Sequence, residues 1–327
     1  MLRYIIERIM AMIPTVLIIA VLGFIIIELP PGDYLTYYLH DLESQGNMNA
    51  RMEIQNLRMR YALDRPAYER FFNWVANFAR GDFGDSFAYR KPVKQLIGER
   101  LLLTIAVSLL SMALAWGIGI PIGVYSATHQ YSFGDHLITT LALIGVGVPG
   151  FLLALVFLVA GFQWFGYAPT GLFSPAFEGA SWSLSKVVDL LKHIWVPAAI
   201  VAISGTAGLV RTMRANLLDV LRVNYVQAAR AKGLSEAKVI WKHAVRTAIH
   251  PLVMSLGMSL AFVVSGSEIT GIVLNLPTTG PLYLQAVRQQ DTYLAGTFLI
   301  LLALMLVIGN LLADILLVIV DPRIRYD

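Results

Sequence analysis

Long apolar stretches constrain this chain more than any other feature. An α-helix needs about 20 predominantly apolar residues to cross the hydrocarbon core of a bilayer. Six stretches of the sequence reach or approach that length: 9–29, 101–127, 137–165, 194–210, 248–267 and 294–320. Hydrophobic residues make up 57% of the 327 residues and charged residues only 14%, which is too apolar for one water-soluble core. The sequence therefore predicts an all-α polytopic membrane protein with six transmembrane helices.

Basic residues near the ends of these stretches predict the orientation, because cytoplasmic loops carry an excess of Lys and Arg. Arg3 and Arg8 precede the first stretch, and Arg323 and Arg325 follow the last. The segment 211–246 holds eight Lys and Arg residues against two acids. The expected protein is a multi-pass protein of the cytoplasmic (inner) membrane with both termini in the cytoplasm.

The same pattern predicts how the chain is divided. Residues 1–29 form an N-terminal segment and the first span, and residues 101–327 form a core of five spans. Between them, residues 30–100 carry ten Lys and Arg and nine Asp and Glu residues, together with many aromatic residues. That composition is typical of a folded segment, and the orientation places it outside the cytoplasm as a subdomain.

Motifs for catalysis are missing from the sequence. It contains no G-x-x-x-x-G-K-[ST] loop for nucleotide phosphates, no H-E-x-x-H zinc motif and no cysteine, and its six histidines are scattered. We therefore expect a chain that is not an enzyme and that holds neither a metal nor a cofactor.

Two acids in apolar stretches offer a different function. Glu268 lies late in the fifth stretch and Asp314 lies in the sixth. Ionisable side chains in a membrane are expensive and often functional. They could couple an ion to transport in a secondary transporter, or they could hydrogen-bond to neighbouring helices. A membrane scaffold without transport activity is a further alternative.

The basic segment 211–247 has the pattern of two short helices joined by a turn. Good helix formers at 225–232 precede Gly233, which suits a left-handed position after a helix end. Ser235 can cap the next helix, and Glu236 complements its N-terminal dipole. The small residues Ala228, Ala229 and Ala231 would allow close approach to a partner. A basic amphipathic hairpin on the lipid surface is the alternative interpretation.

The run Gln227-Ala-Ala-Arg-Ala-Lys-Gly-Leu234 resembles the EAA motif of ABC-importer permeases, although the family often has Glu where this chain has Gln227. The resemblance extends over nearly the whole chain, to permeases of the peptide/oligopeptide-type importers. Its further motifs are Pro30-Pro-Gly-Asp33, Arg80-Gly-Asp-Phe-Gly-Asp-Ser86, Pro92-Val93, Glu99-Arg100 and Asp321-Pro-Arg-Ile-Arg325.

The resemblance implies a transport subunit that moves di- or oligopeptides by alternating access. It also implies a homologous second permease, two ABC ATPase subunits or domains that bind ATP and Mg²⁺, and an extracytoplasmic solute-binding protein. Oligosaccharides are the alternative substrate, since the run 28–34 is similar to an oligosaccharide branch of the family. The residues implied to dock on the ATPase are Tyr225, Gln227, Ala228, Ala229, Arg230, Ala231, Lys232, Gly233 and Leu234.

Overall fold

A computed structural model of the protein describes residues 2–29, 35, 38–39, 43–44, 50–60, 64–166, 168, 170–256 and 268–320. The motifs at 30–33 and 321–325 and most of the fifth predicted span lie outside these residues. The chain divides into two compact units. The larger unit is Met1–Ile5, Thr104–Pro277 and Met305–Asp327, and the smaller unit is Ile6–Leu103 and Thr278–Leu304.

Four helices of the described residues are long and apolar enough to cross a membrane. They contain the first, second, fourth and sixth predicted spans, which are thereby confirmed as apolar helices. The helices are α1 (Leu2–Glu28), α4 (Val93–Thr128), α8 (Trp195–Val220) and α15 (Thr292–Val320). Between α1 and α4 lie α2 (Ala50–Arg60), α3 (Ala67–Ala79) and the short strands β1 (Asp85–Ser86) and β2 (Lys91–Pro92).

The third predicted span is broken into two helices. Helices α5 (Phe133–Gly147) and α6 (Gly150–Phe165) meet at an angle of 103°. Pro149 between them has no amide hydrogen, and the preceding Val148 is extended (φ −93°, ψ 122°). A residue before proline avoids the helical region, which explains why the helix ends there.

Small residues bring the helices of the larger unit close together. A Cβ atom at Gly145 of α5 would lie 2.8 Å from Ala207 of α8. One at Gly123 of α4 would lie 2.8 Å from Met213 of α8. Because small side chains allow close helix approach in lipid, these glycines serve the packing of α8 against α4 and α5.

Helix α7 (Leu184–His193) in the larger unit turns two charged residues, Lys186 and Asp189, inward. The Lys186 ammonium is buried and donates a hydrogen bond to the Ala180 carbonyl at 2.7 Å. The Asp189 carboxylate accepts hydrogen bonds from the Ser174 amide at 2.7 Å and hydroxyl at 2.5 Å. These bonds hold the connection that follows α6, which includes a short 3-10 turn (Pro175–Phe177).

In the smaller unit, α1 packs against α3 through aromatic side chains. The rings of Phe24 and Trp74 lie 6.1 Å apart. Gly296 leaves room for Trp74, whose ring would lie 2.7 Å from a Cβ atom there. The guanidinium of Arg70 on α3 donates two hydrogen bonds, at 2.9 and 2.6 Å, to the carboxylate of Glu28 at the end of α1. An ion pair therefore neutralises the acid that ends the first span.

Strands β1 and β2 form an antiparallel hairpin attached to the start of α15. Asp291, which is fully buried, accepts hydrogen bonds from the Ser86 hydroxyl at 2.5 Å and the Ala88 amide at 3.1 Å. It also accepts one from the Leu294 amide, in the first turn of α15, at 3.2 Å. Helix α14 (Thr279–Arg288) precedes this residue and buries Leu282 and Ala286 beside the hairpin.

Candidate docking site

Residues 224–248 form two short helical pieces joined by a turn, and we call them the docking segment. The first piece is α9 (Asn224–Ala231). The second consists of α10 (Glu236–Lys238), a π-helical stretch (Val239–Ala244) and α11 (Val245–Ala248). Helix α12 (His250–Met254) follows. The helix–turn–helix pattern predicted from the sequence is confirmed, with an added π-helical widening in its second half.

The turn has the conformation that the sequence predicts. Gly233 has φ +76°, in the left-handed region, and its amide donates to the Arg230 carbonyl at 2.9 Å. Nothing lies within 4 Å of a Cβ built at Gly233, so backbone conformation alone explains glycine there. Ser235 precedes the second helix, but its side chain does not make the predicted cap hydrogen bond.

An ion pair closes the turn. The Arg230 guanidinium donates to both carboxylate oxygens of Glu236, with its NH2 atom 2.6 Å from Oε1. These hydrogen bonds, donated by Arg230, lower the pKa of Glu236 below its ordinary value and raise the pKa of Arg230. Glu236, predicted to complement a helix dipole, therefore also fastens the two pieces of the docking segment together.

The inner side of the docking segment packs on two long helices. Val226 and Ala229 of α9 are buried against Met213 and Leu217 of α8 and against the end of α4. We call this buried cluster the docking core. Its members are Val124, Ala127, Met213, Leu217, Val226, Ala229, Val239, Ala244, Val245, Ala248 and Leu252. Because apolar side chains from both pieces enter one cluster, the docking segment is attached to α8 and to the end of α4.

The outer side of the docking segment carries most of the residues predicted to dock. We call the exposed members of that predicted set the outward face, and they are Tyr225, Gln227, Ala228, Ala231, Lys232 and Gly233. Arg230 and Leu234 are partly exposed. Ala229 differs, because it is only 7% exposed and belongs to the docking core. Within this chain its side chain points away from the outward face, and its part in docking stays a prediction.

Two outward side chains also hold α9 in place. The Tyr225 hydroxyl donates to Thr247 Oγ1 at 2.9 Å, which joins the two helical pieces. The Gln227 side-chain amide donates to the Leu221 carbonyl at 2.9 Å, next to the C-terminal end of α8. A glutamate at position 227 has no amide hydrogen for that bond. The departure from the motif therefore has a local role within this chain.

The acids of the ion-coupled alternative lie on separate helices. Glu268 begins α13 (Glu268–Val273), and its side chain is outside the described residues. Asp314 lies on α15 and is half-buried. Among the residues that the structure describes, no group of three or more His, Cys, Asp or Glu side chains could hold a metal ion.

One polar site escaped prediction from the sequence. Asp135, in the first turn of α5, is buried and forms an ion pair with Arg214 on α8 at 2.7 Å. The signals were weak: an acid in a segment without Lys or Arg, and an arginine just beyond the end of the fourth apolar stretch. Seventy-nine residues separate the two, so no local spacing could join them.

Comparison with known proteins gives matches along the whole chain. Residues 119–326 match the family described as "Binding-protein-dependent transport system inner membrane component". Over 327 residues the chain is 35% identical to the oligopeptide transport system permease protein AppB of Bacillus subtilis, with all of both chains covered. It is 31% identical to the glutathione transport system permease protein GsiC of Escherichia coli K12, again with all of both chains covered.

A solved structure shares the fold. The chain is similar to a chain of the MetNI methionine ABC transporter in an inward-facing conformation, with a TM-score of 0.52 and 17% identity. The match covers 69% of this chain and 97% of the other. At that identity the likeness concerns the helical architecture alone.

Proposed function

The chain belongs to the family of binding-protein-dependent transport system inner membrane components and is a permease subunit of an ABC importer, and we propose that it imports di- and oligopeptides. It is a multi-pass protein of the inner membrane. Support for a peptide substrate comes from relatives of full length that are named oligopeptide and glutathione permeases. Oligosaccharides remain the second candidate, on the run 28–34 alone.

The outward face of the docking segment is the observation that carries the partner assignment. It presents small and polar side chains on a helix whose opposite side is fixed by the docking core. A partner that pushes on this face would move α8 and the end of α4 with it. An ABC ATPase subunit is the partner that the family supplies, with its own ATP and Mg²⁺.

The proposed complex contains this chain, a homologous second permease, two ATPase subunits or domains and an extracytoplasmic solute-binding protein, all in membrane lipid. ATP binding and hydrolysis take place in the ATPases, so this chain contributes no catalytic residue. Closure of the ATPases displaces the docking segment, and the attached spans then open the substrate path to one side of the membrane at a time.

Transport in sealed vesicles tests this function directly. Vesicles that hold the complete importer are supplied with binding protein and a labelled peptide, and energised either by ATP or by a proton gradient. Uptake with ATP alone supports the ABC mechanism. Uptake that requires the proton gradient and does not depend on ATP would contradict the ABC mechanism and favour the ion-coupled alternative. Competition by unlabelled peptides, but not by oligosaccharides, would support the peptide assignment.

The orientation needs a separate test, which the absence of native cysteine makes simple. Ser181 and Ser235 are both exposed, one beside α7 and one in the docking segment. With the termini in the cytoplasm, a cysteine at Ser181 reacts with an impermeant thiol reagent in intact cells. A cysteine at Ser235 reacts only after the membrane is opened. The reverse pattern would contradict the proposed orientation.

A further inference from the structure

The carboxylate of Asp135 is held from several sides at one point of the larger unit. Arg214 donates to it twice, from Nε to Oδ1 at 2.7 Å and from NH2 to Oδ2 at 2.8 Å. The Ser126 hydroxyl donates to Oδ1, and the Tyr131 amide donates to Oδ2 at 2.9 Å. Asp135 is 1% exposed and Ser126 is fully buried. A bidentate arginine pair fixes geometry as well as charge.

Such a site is a poor way to gain stability. Removing two charges from water is expensive, and well-packed apolar residues in place of a buried ion pair are often neutral or stabilising. A buried pair is better suited to fixing one arrangement of the elements that carry it, as buried polar groups do in some other proteins. The elements joined here are the end of α4 (Ser126), the start of α5 (Asp135) and α8 (Arg214).

These elements are the ones that carry the docking segment. Arg214 lies ten residues before Asn224, where α9 begins. Val124 and Ala127, on either side of Ser126, belong to the docking core together with Met213, the neighbour of Arg214. The docking core therefore joins α4 to α8 through apolar contacts. The polar contacts of Asp135 reach the same two helices, through Ser126 and Arg214, and add the start of α5 to them.

We propose that Asp135 and Arg214 are positioning residues that transmit the movement of the docking segment to α5. With the pair intact, the end of α4, the start of α5, α8 and the docking segment move as one body. Without it, the turn between α4 and α5 absorbs part of the displacement, and ATP is hydrolysed with less transport. This inference rests on the proposed function, since it assumes a partner that drives the docking segment.

The test measures peptide transported per ATP hydrolysed in vesicles that hold the complete importer. Asp135→Asn removes the charge at almost constant volume, and Arg214→Lys keeps the charge but lacks the fork that makes two parallel bonds. A mutant cycle consists of Asp135→Asn, Arg214→Gln and the double variant Asp135→Asn/Arg214→Gln. Asp189→Asn is the matched control, because it alters another buried carboxylate of the same unit that binds Ser174.

We expect each single variant to retain the ATPase on purification and to hydrolyse ATP, with transport per ATP lowered about tenfold, the scale of typical coupling between sites. We expect the double variant to be no worse than the single variants, and Asp189→Asn to keep the wild-type ratio. An unchanged ratio in both Asp135→Asn and Arg214→Lys would overturn the inference. Equal loss of protein, hydrolysis and transport in Arg214→Lys would also overturn it, because that is the result of a purely structural pair.

Failure of this inference differs from failure of the proposed function. If wild-type vesicles transport peptide with ATP and the variants keep the same ratio, only the positioning role is wrong. If peptide uptake by wild-type vesicles does not depend on ATP, the proposed function itself is wrong, whatever the variants do.

Discussion

The docking segment in the larger unit and the hairpin in the smaller unit are both short pieces fixed to long helices, but the contacts that fix them differ. Val226 and Ala229 place apolar side chains of the docking segment into a shared core. The hairpin is held to the start of α15 by the buried carboxylate of Asp291, which binds a hydroxyl and backbone amides. One attachment is insensitive to pH, and the other depends on a titratable group.

The two kinds of attachment have different consequences. An apolar attachment leaves the polar outer side of a helix free for a partner, as in the outward face of the docking segment. A buried carboxylate fixes a turn accurately because each hydrogen bond has a direction. Substitutions in the docking core should therefore act at every pH, and substitutions at Asp291 should act in a pH-dependent way.

The largest expected effect comes from Ala229→Glu. The new carboxylate would enter the docking core beside Met213 and Val226, where a buried unpaired charge costs on the order of several kcal/mol. We expect a large fall in the thermal unfolding midpoint and in the yield of folded protein. The neighbouring change Ala228→Glu is the control, because Ala228 is exposed and a protein with glutamate at that position should still fold. Equal stability of the two variants would show that α9 is rotated relative to this structure.

A smaller effect is expected for Asp291→Ala. The buried Ser86 hydroxyl and the Ala88 amide would lose their acceptor, at about 1–3 kcal/mol for each group left unpaired. Removal of a buried carboxylate offsets part of that loss, so a net destabilisation of about 2 kcal/mol is expected near neutral pH. The measurement is the unfolding midpoint of purified protein in detergent. An increase in stability would contradict the role of Asp291 as an anchor.

The shifted pKa of Asp291 also predicts whether the stability of the protein rises or falls with pH. Burial raises the pKa of Asp291, and the hydrogen bonds from Ser86, Ala88, Leu294 and Phe87 oppose this without reversing it. The folded state therefore binds the proton more tightly than the unfolded state. The contribution to stability is complete below the unfolded pKa of about 4 and declines as pH rises through the folded pKa. Relative to Asp291→Asn, the wild type should lose stability as pH rises; a constant difference would contradict this.

Gly233→Ala tests the turn of the docking segment. Its φ of +76° is disfavoured for alanine by roughly 1–2 kcal/mol, and no atom lies near enough to add a steric clash. We expect a modest fall in the unfolding midpoint and weaker binding of the ATPase. Gly117→Ala on α4 is a suitable comparison, because that glycine has open space and no left-handed backbone. An equal fall in the unfolding midpoint in both variants would contradict the explanation that Gly233 is needed for its left-handed backbone.

The smallest effect is expected for Arg230→Ala. Its pair with Glu236 is open to solvent on the Glu236 side, and ion pairs at the surface contribute about 0.2–1 kcal/mol. A pronounced salt dependence of ATPase binding without a change in the unfolding midpoint would assign Arg230 to the partner surface. A fall in the free energy of unfolding above about 1 kcal/mol would instead assign it to the fold of the turn.

Much of this architecture follows from local sequence. The long apolar stretches predict α1, α4, α8 and α15. Gly233 predicts the turn of the docking segment, because the need for glycine there depends only on the backbone conformation of that residue. The break at Pro149 was also available from local rules, but the uncharged stretch around it concealed it. The burial of Ala229 could not be predicted locally, because α9 has only eight residues and alanines on several sides.

The polar anchors could not be predicted, because each joins residues far apart in the chain. Asp135 and Arg214 are 79 residues apart, and Ser86 and Asp291 are 205 apart. Each residue alone resembles an ordinary charged or polar residue near a helix end. Only the packing of the helices shows which acid meets which donor.

The most direct test of the central claim is the exposure of the outward face in the assembled importer. A cysteine at Ala228 is labelled with a thiol reagent in opened membranes, with the ATPase bound and after its removal; a cysteine at Ser185 of α7 serves as the reference. Ala228 and Ser185 are both exposed in this chain. The account predicts that bound ATPase strongly slows labelling at Ala228 and leaves Ser185 unchanged. Equal labelling at Ala228 with and without the ATPase would contradict it.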